Sequence, residues 1–214
     1  AYGDWLTPND RFPGGVERVA AEIRKLGLIP GLWLAPFVAQ ADSLLFKEHP
    51  EWMVRNDEGA PLAWEVDWAE PKVPWYALDG SHREVQAWMT ELFATLRQTG
   101  IGYFKLDFLF LGMLPGNRSR PMTRVEAYRK GLAAIRAGAR DAYLLGSTVP
   151  YLPSVGLLDG MRVSHDVFPG GVFRDSLSEA VRETHQRWWA HGKLWNADHD
   201  VALVRDMEGS TAGL

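Results

Sequence analysis

The feature that most restricts the fold of this chain is an alternation, repeated four times, of an amphipathic helical stripe with a short apolar run. Val16, Val19, Ala20, Ile23 and Leu26 recur three or four residues apart, the spacing of one helical face, and Gly27 follows as a C-terminal stop. Next comes Ile29-Pro30-Gly31-Leu32-Trp33-Leu34-Ala35, a nearly unbroken apolar run of the kind a strand buried on both faces requires. The second unit opens on Ser81-His82-Arg83-Glu84, which has capping-box form. It continues through the stripe Val85, Trp88, Met89, Leu92, Phe93 and Leu96 to Gly100, then enters the strand-like Tyr103-Phe104-Lys105-Leu106-Asp107-Phe108. Thr123-Arg124-Val125-Glu126 opens a third helix to about Arg140, followed by Tyr143-Leu144-Leu145. Ser176-Leu177-Ser178-Glu179 opens a fourth to about Ala190, before a strand starting at Leu194-Trp195.

Helix and buried strand in alternation imply a parallel sheet with helices outside it, either a closed barrel or an open doubly wound sheet. No glycine-rich phosphate fingerprint follows any of these strands, which favours an α/β fold of the (β/α)8 TIM-type barrel kind. The stretch 38–74, rich in Trp, Asp, Glu and Pro, reads as one irregular excursion over the C-terminal face of that barrel.

The chain of 214 residues fits one domain, 1–214. Its 27 acidic and 23 basic side chains are scattered, so nucleic acid is not an expected partner. No apolar run reaches the roughly 18 residues of a membrane span, and Ala1-Tyr2-Gly3-Asp4-Trp5 does not resemble a signal peptide. With no cysteine, disulfides and thiolate metal sites are excluded, and a cytoplasmic location is the expectation. Ten tryptophans exceed what a core of this size needs, and such rings offer stacking surfaces for sugars. Trp88, Trp188 and Trp189 are expected to be packing residues instead.

Two carboxylates stand where a barrel keeps its chemistry. Asp107 lies in the apolar run 103–110 with Lys105 two residues before it, so both point to one face, and inward is the expected direction. Buried charge is costly unless paired or functional. Asp166 falls just past the short apolar run Met161-Arg162-Val163-Ser164. Two strand-end carboxylates can serve glycoside hydrolysis, one attacking the anomeric carbon and one protonating the leaving oxygen. The competing readings are a structural ion pair for Asp107 and a helix cap for Asp166.

Tyr103-Phe104-Lys105-Leu106-Asp107-Phe108 resembles the nucleophile strand of glycoside hydrolase family 36, the α-galactosidases, whose family 27 relatives share a K-x-D pattern. Arg162 and Asp166 resemble the acid/base motif of both families. Gly3-Asp4-Trp5, Arg11-Phe12-Pro13-Gly14-Gly15, Gly31-Leu32-Trp33, His49-Pro50-Glu51-Trp52 and Leu78-Asp79 follow the family order. Asp198-His199-Asp200-Val201-Ala202-Leu203-Val204-Arg205 is similar to its late N-D-P-D-C-L-L-L-R pattern, with Ala197 and His199 replacing Asn and Pro. The family's opening Asp-Asp-Gly-Trp is not found, and the first and last barrel strands are expected to be lacking from this chain. Ser147 stands where the family often has cysteine.

The resemblance implies a retaining α-galactosidase acting on a small-molecule or oligosaccharide α-galactoside, without metal or cofactor. Asp107 is then the nucleophile and Asp166 the acid/base. Lys105, Arg162, Trp33 and Ser147 are substrate-binding candidates, and His165 is a candidate to tune its neighbour Asp166. An α-N-acetylgalactosaminidase or a raffinose-synthase-like transglycosylase would use similar strands. A reading of another class is a barrel fragment that only binds carbohydrate weakly.

Overall fold

A computed structural model describes residues 1–7, 12–66, 72–168 and 173–201. Arg11, Trp68 and residues 202–205 of the late motif lie outside them. In chain order the elements are α1 (Gly15–Lys25), β1 (Gly31–Leu34), β2 (Val38–Gln40), α2 (Leu44–Glu48), β3 (Ala63–Trp64), β4 (Trp75–Ala77), α3 (Arg83–Gln98), β5 (Tyr103–Leu106), α4 (Arg124–Ala139), β6 (Tyr143–Gly146), α5 (Tyr151–Ser154), β7 (Gly160–Arg162), α6 (Phe173–Arg187) and β8 (Asn196–Asp198).

Five strands form a parallel sheet in the order β1-β5-β6-β7-β8, the part of a (β/α) barrel that the alternation implied. β1 and β5 are shorter than their apolar runs, and Asp107 falls one residue past β5. The excursion 38–74 is more regular than expected. β2 and β3 within it, and β4 immediately after it, build a three-stranded antiparallel sheet, β2-β4-β3. That sheet meets the residues just after β5, through Trp75 on Phe108 at 4.8 Å and Trp64 on Phe110 at 5.3 Å between ring centroids. It therefore lies beside the C-terminal ends of the parallel strands.

The core lies between the parallel sheet and α3 and α4. Val85, Met89, Leu92, Phe93 and Leu96 of the α3 stripe are buried, Trp88 is half-buried against the same core, and Phe93 meets Phe104 of β5 edge-on. α3 and α4 touch so closely that a Cβ on Gly138 would collide with the Thr90 carbonyl oxygen. Near α1 the expectation fails in part. The helix forms and Gly27 takes φ 75°, but among its described residues only Ala20 is buried. Trp188 and Trp189 are 55% and 61% exposed, with Trp188 stacked on His191 and Trp189 edge-on to Trp195, so they are not core residues in the described structure.

Candidate active site

Strand register sorts the inner face into layers. Trp33 pairs with Lys105, Lys105 with Leu145, Leu145 with Gly160 and Gly160 with Asn196. Two residues further along, at the C-terminal ends, alternation brings Asp107, Ser147, Arg162 and Asp198 to the same face. Phe104 and Leu106, on the opposite face, are fully buried. Apolar residues toward the helices and polar ones toward the barrel axis explain why a charged pair sits in so apolar a segment.

Asp107 is held by three donors. Its Oδ1 accepts from the Phe108 amide at 2.8 Å and from the Thr148 hydroxyl at 2.9 Å, and its Oδ2 accepts from the Trp33 indole at 3.1 Å. Its own amide donates to the Leu34 carbonyl at 2.8 Å, which continues the β1–β5 ladder past the strand end. The backbone on either side is unusual. Phe108 and Thr148 both adopt left-handed conformations, φ 52° and 46°, at a cost of about 1–3 kcal/mol for such residues.

An aromatic wall stands beside this carboxylate. Trp33 contacts Tyr2, Trp5 and Phe108 at centroid distances of 5.6, 6.1 and 6.2 Å, and Tyr2 stacks on Trp5 and meets Trp75. Burial, and then the charge of Asp107, raise the Tyr2 phenol above its ordinary value of 10.0.

Arg162, only 4% exposed, organises the other half. It donates to Asp166 Oδ1 at 2.7 Å, to Asp200 Oδ1 at 2.7 Å and to Asp198 Oδ2 at 3.3 Å. Burial alone disfavours its charge. The carboxylates Asp200, Asp198 and Asp166 outweigh that penalty, and the net shift is upward. Asp200, with φ 74°, also accepts the Val167 amide at 2.8 Å and so ties down the segment that carries Asp166. The Asp166 side chain itself is 65% exposed.

Trp33, Asp107, Arg162 and Asp166 all lie at strand C-terminal ends, and the structure joins Trp33 to Asp107 and Arg162 to Asp166 directly. Lys105 shares the face of Asp107 and is half-buried, but among the described residues it forms no ion pair with it. Ser147 is 4% exposed, and its successor Thr148 makes the contact to Asp107. The His165 ring faces Glu183 at 2.9 Å, and Asp166 turns to Arg162. Thr148, Asp198, Asp200 and Tyr2 were not among the sequence candidates. The i, i+2 acids Asp198 and Asp200 at a strand end carried a readable signal, whereas nothing marked Thr148.

The sequence profile of the melibiase family matches residues 1–133. A solved α-galactosidase from Thermus thermophilus in complex with stachyose superposes with a TM-score of 0.82 at 39% identity, covering 95% of this chain and 45% of that one. The same enzyme in complex with p-nitrophenyl α-D-galactopyranoside gives 0.80 at 38%. Among curated relatives, α-galactosidase C of Emericella nidulans is 34% identical over 119 residues, covering 49% of this chain and 14% of its own length. α-Galactosidase Mel36A of Lactobacillus acidophilus is 29% identical over 148 residues, 68% of this chain and 18% of its own. The chain thus spans less than half the length of each of these relatives.

Proposed function

We propose, since this chain belongs to the melibiase family, that it carries the catalytic pair of a retaining α-galactosidase, with Asp107 as nucleophile and Asp166 as acid/base. The observation that carries this reading is the contrast between the two carboxylates. Asp107 is fixed by three donors against an aromatic wall, and the Asp166 side chain is exposed, with Arg162 as its partner among the described residues. A nucleophile benefits from fixed aim, and a proton donor from reach. Stachyose and an aryl α-galactoside bound to the Thermus enzyme support terminal α-galactose as the sugar class.

In the first step a lone pair of Asp107 forms a bond to the anomeric carbon as the bond to the leaving oxygen breaks. That oxygen takes the proton of Asp166. Water, deprotonated by Asp166, then attacks the anomeric carbon and releases Asp107, which restores the original configuration. The aspartates of the Arg162 cluster give the surroundings an anionic character, which suits the positive charge that develops on the sugar ring. Lys105 and Arg162 are the candidate donors to sugar hydroxyls, Trp33 shapes the wall, and Ser147 lies on the floor between them.

The test is hydrolysis of an aryl α-galactoside by Asp107→Ala, for which activity should fall by at least about a thousandfold. Activity near that of the parent removes Asp107 from the role. Asp166→Ala should lose far more on substrates with poor leaving groups than on activated aryl galactosides, because only the former need protonation. Equal losses on both contradict the acid role.

A further inference from the structure

The two oxygens of Asp107 are not equivalent. Oδ1 takes two donors, the Phe108 amide and the Thr148 hydroxyl, whereas Oδ2 takes one, the Trp33 indole. A carboxylate oxygen offers two lone-pair sites. Among the described residues both sites of Oδ1 are taken, and one of Oδ2 has no donor. When an oxygen of Asp107 joins the sugar it becomes the ether oxygen of an ester, a poor acceptor, while the other becomes a carbonyl oxygen that still accepts two hydrogen bonds.

The backbone of Thr148 supplies an independent observation. It sits in the left-handed region, φ 46°, a conformation that a β-branched residue strongly disfavours and that glycine takes freely. The conformation is held by the Phe110 amide, which donates to the Thr148 carbonyl at 3.1 Å. The residue is exposed, so no packing requirement selects its methyl group. What glycine would lack is the hydroxyl, whose single proton lies between Asp107 Oδ1 at 2.9 Å and the Ser147 carbonyl at 2.8 Å, the charged carboxylate being the stronger acceptor.

We propose that Thr148 is a positioning residue for the nucleophile, its hydroxyl pinning Oδ1 of Asp107 so that Oδ2 is the oxygen that attacks the sugar. This rests on the nucleophile reading of Asp107. The two donors on Oδ1 also stabilise the negative charge that returns to the carboxylate when water cleaves the ester, so both chemical steps depend on them. Trp33 holds the plane of the group from the other side and gives way as Oδ2 forms its bond.

Three variants separate the hydroxyl from the backbone. Thr148→Ser keeps the donor, Thr148→Val keeps the shape without it, and Thr148→Gly removes both donor and backbone strain. Each is compared with the parent by thermal melting, by kcat and KM on an aryl α-galactoside, and by the rate of labelling with an α-configured galactosyl cyclitol epoxide. That reagent esterifies a carboxylate nucleophile, and peptide mass spectrometry locates the label. Thr148→Val and Thr148→Gly should lose roughly 10- to 100-fold in kcat and labelling rate with KM nearly unchanged, the effect of one hydrogen bond to a charged group. Thr148→Ser should stay within about threefold of the parent, and Thr148→Gly should melt no lower than it, since the relieved strain offsets the flexibility of glycine. Label on Asp107 at parental rate in Thr148→Gly overturns the positioning role alone. A raised KM with kcat intact also overturns it, by making Thr148 a sugar contact. Label that reaches some other carboxylate in the parent overturns the nucleophile reading itself.

Discussion

Arg162 shows how much of a site can hang on one side chain. It is buried with three carboxylates as partners, and the loop that carries Asp166 is fastened to it a second time through Asp200 and the Val167 amide. Arg162→Met, similar in length and uncharged, leaves those carboxylates facing one another without a cation. Unfolding in urea should show a loss of about 2–3 kcal/mol, near the lower end of what a broken buried pair costs because Asp166 and Asp198 reach solvent. A loss under about 0.5 kcal/mol would mean that the cluster is held by its backbone hydrogen bonds instead. Asp107 stood out in the sequence because a charged residue in an apolar strand has few uses and because alternation fixes its face, whereas Arg162 and Asp166 stood out through the resemblance of their spacing to a family motif. Thr148 was not legible, since a left-handed backbone angle leaves no trace in composition. The exposure of Trp188 and Trp189 was equally hidden: a tryptophan has the same letter whether its neighbours cover it or not.

At the scale of elements, three capping boxes were expected and one forms. Thr123 and Glu126 bond reciprocally at the start of α4. Ser81 has the right spacing, but its hydroxyl donates to the buried Asp79 at 2.8 Å, and His82 caps α3 through its ring nitrogen. A charged acceptor outcompetes the helix end for that hydroxyl. Ser176 lies inside α6, which starts earlier at Phe173, and its hydroxyl bonds back to the Phe173 carbonyl. The real box has a measurable pH signature. Hydrogen bonds from the Thr123 amide and hydroxyl lower the Glu126 carboxyl below its usual 4.5. Its contribution is therefore full above that value and is lost as pH falls through the lowered one. Glu126→Ala should depress the melting temperature at pH 7 and approach the parent in acid; a deficit independent of pH would assign the effect to helix propensity alone. Where α3 crosses α4, Gly138→Ala should cost about 1–3 kcal/mol by overpacking against the Thr90 carbonyl, despite the better helix propensity of alanine. A neutral result in a urea titration would show that the two helices can part without penalty.

Over the whole molecule, the parallel sheet and the small antiparallel sheet share one apolar cluster, which runs from Val38, Ala39 and Trp75 to Phe104, Leu144 and Met161. Far-UV circular dichroism and tryptophan fluorescence should accordingly report a single coincident unfolding transition in urea. Two separated transitions would divide the excursion from the barrel strands. The parallel architecture was readable from the helix–strand rhythm, but the second sheet was not, because β3 and β4 are two and three residues long and the β2 partner of β4 is remote in sequence. That remoteness also bears on time. The indole of Trp33 and the carboxylate of Asp107 are 74 residues apart in the chain, and between them lies the entire antiparallel sheet and α3. Closing so long a loop is entropically late, whereas the helices α3 and α4 form from local contacts. On dilution from denaturant the helical signal therefore recovers before the Trp33–Asp107 contact forms, and the Asp107 carboxylate takes its orientation in the final stage of folding.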